Sequence, residues 1–377
     1  MSPGSRQWGA PWFEETGGMG AWCSSAEATN MGDRPRERDI KKSGEKKTLK
    51  LVLLGPEQSG KSTLMKQLLR IHNGALDSKT RREYIEAVNN DMLQNMVRLI
   101  EKSEHYGGKD ASLMYDDKLT DDIKTMLDFI DNAAEGPIEE AIGKIITKIW
   151  TDPAVQKCHE TISDPEYDLD DSATYFYENV QRICKTDFVP NMEDVIRVRW
   201  RTTGVYQETF TVEDHVFKLI DLGGQRSERR KWKSCFKDGD VNAVLFMVAI
   251  SGFNVVCKED PSMTQLEEAY ELFKEFTKEY PPVATILILN KFDLFVNKIP
   301  KVDITDCPLL KDFKGDCRDI EETVAYIEQV FYQIHCSARW YCHFSTATDE
   351  AMVKHIFWDV KDTVLQNSLR KAGILIS

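Results

Sequence analysis

The sequence predicts an α/β fold, a mostly parallel sheet with helices on both faces, that is interrupted by an inserted all-helical domain. In residues 46–75 and 196–377, short continuous apolar strands alternate with helical patterns. Such strands are buried on both faces and are typical of parallel sheets. Residues 76–195 instead carry several helical patterns and hardly any strand signal. We therefore predict a discontinuous α/β domain with a helical domain inserted into it.

The individual elements follow from the local patterns. In the insert, apolar side chains recur at helical spacing, which places them on one core-facing side of a helix and gives them no chemical role. The predicted strands are Leu49–Leu54, Val216–Asp221, Ala243–Val248 and Thr285–Leu289, and the helical stripes are Ile85, Val88, Met92, Met96 and Leu99, then Ile138, Ile142, Ile145 and Ile149.

Bulk composition limits the possible functions. The net charge of −13 argues against nucleic-acid binding, which needs a basic surface. The longest apolar run, Ala243–Ile250, is far shorter than the ~20 residues of a membrane span. Nine scattered cysteines predict a reduced cytosolic compartment and no zinc site. Residues 1–45 are polar and punctuated by glycine and proline, which predicts a partly disordered N-terminal extension.

A candidate phosphate-binding loop follows the first predicted strand. The stretch "GPEQSGKS" (residues 55–62) fits the pattern G-x-x-x-x-G-K-[ST], and a helix is predicted to begin near Ser62. Backbone N–H groups of such a loop point at phosphates. Lys61 would reach the β- and γ-phosphates, and the Ser62 hydroxyl would ligate Mg²⁺. The predicted nucleotide contacts here are Glu57, Gln58, Ser59, Gly60, Lys61, Ser62 and Thr63.

The stretch "DLGGQ" (residues 221–225) follows another predicted strand. Asp221 suits a water-mediated Mg²⁺ contact, a glycine N–H can reach a γ-phosphate, and Gln225 can orient a water molecule. A glycine pair after a strand is usually only a turn. Downstream of a phosphate loop, however, this stretch indicates a second part of the same site.

The stretch "NKFD" (residues 290–293) indicates selection of the base. The Asp293 carboxylate can accept two hydrogen bonds from guanine N1–H and its exocyclic amine, which adenine does not offer in that arrangement. The stem of Lys291 can pack on the base plane. An isolated N-K-x-D would fit a helix cap and a surface acid equally well. The later stretch "STATD" (residues 345–349) could close over the base through the Ala347 amide.

This order of motifs resembles the heterotrimeric G protein alpha subunits, over about residues 46–375. The resemblance implies a Ras-like P-loop GTPase domain with a six-stranded sheet and a helical domain, which together clasp GTP or GDP. It implies a molecular switch that relays receptor signals and hydrolyses GTP slowly with Mg²⁺. Further stretches that are similar to the family are "EYDLDDSATYFYENV" (166–180), "RVRWRTTG" (197–204), "IDLGGQRSERRKWKSCF" (220–236), "ILNKFDLF" (288–295) and "LRKAGIL" (369–375).

The resemblance also implies roles for single residues. Arg199 matches the built-in arginine finger, although the residues alone do not choose among Arg197, Arg199 and Arg201. Thr202 matches the second Mg²⁺ ligand beside Ser62. Gly224 matches the glycine that touches the γ-phosphate, and Gln225 matches the glutamine that positions the attacking water.

For the base and the helical domain, the resemblance assigns four more positions. Asn290, Lys291 and Asp293 match the residues that select guanine. Asp171 matches a helical-domain acid that reaches toward the lysine of the guanine motif, and its neighbour Ser172 is predicted to contact the nucleotide.

The implied partners are a beta-gamma dimer, a seven-helix receptor, GTPase-accelerating regulators and effectors. The stretch "RSERRKW" (residues 226–232) matches the second switch, which depends on the γ-phosphate for its order and is presented to partners. Trp232 fits two interpretations, an exposed partner contact or a core anchor.

The phosphate loop departs from the family at three positions. Relatives have small residues and glycine where this chain has Pro56 and Glu57. A side chain at Glu57 could clash with the catalytic arrangement or capture Arg199, which predicts slow hydrolysis. Alternatively, Glu57 points outward. Gln58 replaces a glutamate that pairs with the finger arginine, which predicts quicker release of GDP.

Two rival functions remain at this point. One is a GTP-binding scaffold in which Glu57 impairs hydrolysis. The other is an ATP-using P-loop kinase or ATPase, which Asp293 opposes.

The N-terminal segment contains a possible lipidation signal. Met19 begins "MGAWCS", which fits the pattern for N-myristoylation at Gly20, and Cys23 would suit a second, palmitoyl anchor. We therefore expect a peripheral protein at the cytoplasmic face of the plasma membrane. A chance hexapeptide in an exposed tail is the alternative. Pro35 would interrupt a helix that docks a beta-gamma dimer.

Overall fold

The computed structural model describes most of the chain after the N-terminal segment. Three of the predicted functional residues, Gly20, Cys23 and Thr202, lie outside the described residues, as does Pro35. The described residues are 47–132, 137–161, 167, 169–199, 204–237, 239–280, 284–335 and 340–371.

Six strands form one sheet in the order β2-β3-β1-β4-β7-β8. Only β2 runs antiparallel to its neighbour, and the other pairs are parallel, so the prediction of a mostly parallel six-stranded sheet is confirmed. At the centre, Leu51 pairs with Leu219 on one side and with Ala243 on the other. The strands are β1 (Lys47–Leu54), β2 (Val205–Val212), β3 (His215–Leu222), β4 (Ala243–Ala249), β7 (Thr285–Asn290) and β8 (Cys342–Ser345), and β5 (Val256–Cys257) and β6 (Asp260–Thr264) form a separate hairpin.

The sheet is covered on both faces, as continuous apolar strands predict. Successive side chains of a strand point to opposite faces. Leu51 and Leu53 therefore pack into one apolar cluster, and Val52 and Leu54 pack into another. The helices of this part are α1 (Lys61–Asn73), α10 (Arg226–Arg229), α11 (Trp232–Phe236), α12 (Gln265–Glu279), α13 (Phe292–Lys298), α14 (Ile320–Gln333) and α15 (Glu350–Lys371), with short 3-10 helices at Ile250–Gly252, Ile304–Asp306 and Pro308–Leu310.

The described residues between 76 and 195 contain helices and no strand. They have an apolar core of their own, drawn from residues between Val88 and Phe188 together with Val198, which lies just beyond residue 195. This separate core supports the predicted division near residues 75 and 195, which stays a prediction. The helices here are α2 (Ser78–Arg82), α3 (Ile85–Gly107), α4 (Thr120–Asn132), α5 (Glu140–Trp150), α6 (Pro153–Thr161), α7 (Ala173–Glu178), α8 (Val180–Ile183) and α9 (Met192–Arg197), with 3-10 helices at Ala111–Leu113 and Asp117–Leu119.

The topology brings distant motifs to one edge of the sheet. Because β1, β3, β7 and β8 are linked through parallel pairings, their carboxyl ends lie at the same edge, where α/β proteins bind ligands. All four predicted site motifs follow these strand ends. Within the described part of the chain, no helix is long and apolar enough to cross a membrane.

Candidate functional site

The loop between β1 and α1 requires glycine at both ends. Gly55 has φ 137° and Gly60 has φ 98°, in the region that side chains rarely adopt. A Cβ at Gly60 would also collide with the Asn290 side chain, and one at Gly55 would collide with the Met247 carbonyl. The helix that follows begins at Lys61, one residue before the predicted start at Ser62.

Lys61 is a buried cation folded over this loop. Its Nζ donates to the carbonyl oxygens of Gly55 (3.0 Å) and Pro56 (2.7 Å) and lies 3.4 Å from the Ser59 hydroxyl. The residue is only 6% exposed, and burial lowers its pKa to about 8. Since an anion beside Nζ would favour the charged form, the loop is suited to a phosphate.

Ser62 and Asp221 form an oxygen pair next to the loop. The Ser62 hydroxyl donates to Asp221 Oδ2 at 2.6 Å. Among the described residues, no cluster of three or more His, Cys, Asp or Glu could hold a metal ion by itself. Mg²⁺, however, is usually held by one or two protein oxygens together with water and substrate phosphates. The donor set therefore fits a magnesium ion that arrives with a nucleotide.

The turn after β3 lies directly against the phosphate loop. A Cβ at Gly224 would be 2.5 Å from Lys61 Nζ and 2.7 Å from the Pro56 carbonyl, so this approach needs glycine. Trp232 donates its indole N–H to the Gly223 carbonyl at 3.1 Å and is 6% exposed. Of the two interpretations of Trp232, the structure therefore supports the core anchor.

Glu57 joins the two predicted catalytic residues. Its Oε1 lies 3.1 Å from Arg199 Nη2, and its Oε2 accepts a hydrogen bond from Gln225 Nε2 at 3.1 Å. The predicted capture of Arg199 is thus present, and the outward-pointing alternative is wrong. Arg197, in contrast, stacks on the Tyr175 ring at 4.8 Å.

Two acids that the sequence did not predict as site residues contact Arg199. Asp170 Oδ1 lies 3.0 Å from Arg199 Nη1, and Asp91 Oδ2 accepts from the Arg199 backbone N–H at 2.6 Å. Burial tends to lower the pKa of Arg199, but Asp170 and Glu57 outweigh it and raise that pKa. Burial raises the pKa of Asp91 to about 7.

These contacts also bear on Gln58. The guanidinium of Arg199 already has charge-assisted contacts with Glu57 and Asp170. The effect of the neutral amide at Gln58 on the release of GDP stays a prediction. Of the two acids Asp91 and Asp170, only Asp170 has a signal in the sequence, because it adjoins Asp171 in "DLDDS".

Asn290 holds two loops in place. Its Nδ2 donates to the Ser59 carbonyl at 2.8 Å, and its Oδ1 accepts from the Ala347 amide at 3.0 Å. It is 2% exposed, so it acts as a buried brace. The Ala347 N–H, which the sequence analysis assigned to the base, donates to Asn290 in this structure.

Of the two charged residues of the guanine motif, Lys291 lines the cleft described below and Asp293 does not. Lys291 adopts a left-handed φ of 61° and its Nζ pairs with Asp171 Oδ2 at 2.5 Å, which is the contact that the resemblance implies. Asp293 is exposed, and the Thr346 hydroxyl donates to its Oδ1 at 3.3 Å.

One cleft connects most of the predicted residues. It runs between the phosphate loop and the helical part. Asn290 and Ala347 are buried and are not among the residues that line it. The predicted residues that line it are Glu57, Gln58, Gly60, Lys61, Ser62, Thr63, Asp171, Ser172, Arg199, Gly224, Gln225 and Lys291.

A phosphate loop between a central parallel strand and a helix, with the Ser62–Asp221 pair at the same sheet edge, defines the class of P-loop nucleotide-binding α/β proteins. A model of the G-protein alpha subunit family matches residues 29–364. The match covers most of the chain, which therefore belongs to the G-protein alpha subunit family and is a guanine-nucleotide-binding alpha subunit. Proteins of this family act in signal transduction with beta-gamma and receptor partners.

Proposed function

We propose that this alpha subunit is a switch that binds GTP with Mg²⁺ and hydrolyses it slowly to GDP and phosphate. The observation that carries the proposal is the convergence of Arg199 and Gln225 on the phosphate loop beside Lys61. Arg199 and Gln225 meet there although they come from different elements. An arginine and a water-orienting glutamine at a phosphate loop are the groups that GTP hydrolysis requires.

Each side chain has a separate task in this reaction. Gln225 orients the attacking water, and Arg199 offsets charge on the γ-phosphate, which is worth ~10³–10⁵ in rate in such enzymes. Lys61 neutralises the β- and γ-phosphates. Ser62 would hold Mg²⁺, together with Thr202 and, through water, Asp221. The bound ion would supply neutralisation of charge on the phosphate oxygens.

The base is selected at the other end of the cleft. Asp293 accepts hydrogen bonds from guanine, Lys291 covers the base plane, and Asn290 keeps the two loops together. An adenine base would leave the Asp293 carboxylate without its partners, so ATP binds weakly. This argument also opposes the ATP-using kinase or ATPase.

A second candidate function is a GTP-binding scaffold with impaired hydrolysis. The Glu57 carboxylate holds both Arg199 and Gln225, so neither can act on a phosphate until Glu57 releases it. The scaffold and the switch bind the same nucleotide and differ only in whether this release occurs.

A real-time assay of GTP uptake and phosphate release on the purified chain tests the proposal. We expect uptake of GTP, slow single-turnover release of phosphate, and release at least about tenfold faster in Glu57→Gly, because the two catalytic groups are freed. The matched control Glu101→Gln removes an exposed charge on α3 and should behave as wild type.

The outcomes separate the candidates. Phosphate release that is absent in wild type and restored by Glu57→Gly supports the scaffold. An equal rate in both proteins refutes the inhibitory role of Glu57. No uptake of GTP, or equal uptake of ATP, refutes the proposed function itself.

We also propose the partners and location that the family resemblance implies. The segment 226–232 would face a beta-gamma dimer, effectors or GTPase-accelerating regulators, and a seven-helix receptor would drive exchange. Acylation at Gly20 and Cys23 would hold the chain at the cytoplasmic face of the plasma membrane. The intact mass of protein from its native cell tests the acylation, because a chain that retains Met1 cannot be myristoylated at Gly20.

A further inference from the structure

We propose that Glu57 sets the choice between diphosphate and triphosphate, because its carboxylate occupies the position of a terminal phosphate between Arg199 and Gln225. The inference rests on the proposed function, since it concerns the nucleotide of the same site. Beyond that function, the inference states that the protein binds GDP in preference to GTP, and that this preference does not depend on hydrolysis.

The contacts of Glu57 match those that a terminal phosphate would make. Each carboxylate oxygen takes one partner, Arg199 Nη2 for Oε1 and Gln225 Nε2 for Oε2, both at 3.1 Å. Arginine and glutamine are the side chains that a phosphate-loop GTPase directs at its γ-phosphate and the attacking water. One acidic side chain of the phosphate loop therefore satisfies the two groups that distinguish a triphosphate from a diphosphate.

A γ-phosphate and the Glu57 carboxylate would compete for Arg199 and Gln225. The neighbouring turn lies so close that little space is left for both. A Cβ at Gly224 would already meet the Pro56 carbonyl at 2.7 Å, so the turn that carries Gln225 lies against the loop that carries Glu57. The Glu57 and Arg199 side chains are 29% and 34% exposed, so solvent screens their interaction only in part. An anion that enters between them meets the Glu57 charge at close range.

The charge balance gives the direction of the effect. A γ-phosphate adds negative charge beside a carboxylate and must take Arg199 from it, and like charges at ~4 Å repel appreciably when screening is incomplete. A diphosphate ends one phosphoryl group earlier and leaves the contacts of Glu57 in place. Glu57 therefore weakens binding of the triphosphate more than that of the diphosphate.

The test compares the affinities for GDP and for a non-hydrolysable GTP analogue, with saturating Mg²⁺, in wild type, Glu57→Gln and Glu57→Gly. The Gln variant keeps the size of the side chain and removes its charge. We expect the ratio of analogue affinity to GDP affinity to rise about tenfold in Glu57→Gln and at least as much in Glu57→Gly. Glu101→Gln, which removes an exposed charge on α3, should leave the ratio unchanged.

Each outcome decides one question. An unchanged ratio in both Glu57 variants, with GDP still bound, overturns this inference and leaves the proposed function intact. A fall of both affinities by the same factor shows a purely structural role and also overturns it. Failure of the wild type to bind either nucleotide refutes the proposed function instead. Should Glu57→Gly misfold, as its melting temperature would show, the charge-only variant Glu57→Gln decides alone.

Discussion

The Nζ atom of Lys291 lies 2.5 Å from Oδ2 of Asp171, and this ion pair joins the loop after β7 to the helical part of the chain. Both residues line the cleft that we assign to the nucleotide. We therefore expect this contact to slow the release of a nucleotide bound between the phosphate loop and the helical part.

Replacing Asp171 should speed the release of GDP. Asp171→Asn removes one charge of this ion pair. Because Asp171 is 48% exposed and Lys291 is 15% exposed, solvent weakens the pair, and the GDP dissociation rate should rise only modestly, up to about fivefold. Dissociation of a fluorescent GDP measures it, with the exposed Asp187→Asn as control. High salt should abolish the difference, and equal rates at low salt would show that the pair does not restrain the nucleotide.

Replacing Asp293 should alter the choice of base. In Asp293→Asn, the amide places a donor where guanine also has donors, so we expect GTP affinity to fall by about 10² or more. Xanthine has a carbonyl at that edge, so the affinity for xanthosine triphosphate should rise. Competition binding with GTP and xanthosine triphosphate measures the switch. Asp312→Asn, an exposed acid elsewhere, is the matched control. Retention of full guanine preference would place base recognition elsewhere.

Adding one methyl group at Gly224 should disturb the contact between the turn and the phosphate loop. The Cβ of Gly224→Ala would lie 2.7 Å from the Pro56 backbone, which cannot rotate away as a side chain can. We expect a loss of about 1–3 kcal/mol in the free energy of unfolding and weaker GTP binding. In Gly108→Ala the nearest atom is at 3.6 Å, so that variant is the control. Equal melting temperatures would contradict this packing.

Asp91 predicts a dependence of stability on pH. Burial raises its pKa from 3.8 to about 7, so the folded state holds the proton more tightly than the unfolded state does. Stability from this group is therefore present below its unfolded pKa and is lost as pH rises through the folded value. The loss between about pH 6 and pH 8 should be on the order of 1 kcal/mol.

Asp91→Asn isolates this effect. The amide can still accept the hydrogen bond from the Arg199 N–H but does not ionise. Melting temperatures across this range should fall less with rising pH in the variant than in wild type. Parallel pH profiles would assign the titration to other groups.

The sheet shows which parts of the fold are readable from sequence. The four predicted strands are all present and extend by one or two residues beyond the predicted ends, because continuous apolar runs mark buried parallel strands. The edge strand β2 was missed because its first residues are mostly exposed. β8 was missed because it has only four residues, most of them partly buried.

In the site, too, residues within contiguous motifs are predictable from sequence, and pairings between distant residues are not. The phosphate loop and the residues 221–225 and 290–293 are contiguous motifs, so the sequence alone indicates them. Asp170 lies in a stretch that is similar to the family but has no predicted role there. Asp91 belongs to no motif and meets Arg199 across 108 residues of chain. The bridge from Glu57 to Gln225 spans 168 residues and depends on the register of the folded sheet. Pairings of this kind have no local pattern and become visible only in the structure.

Competition between guanine and adenine nucleotides tests the central claim most directly, that separate stretches of this chain form one guanine-nucleotide site. Purified protein with Mg²⁺ should bind GDP and GTP at least about 10²-fold more tightly than ADP and ATP, since Asp293 has hydrogen-bond partners only on guanine. Binding of both bases with equal affinity, or of neither, would contradict the account.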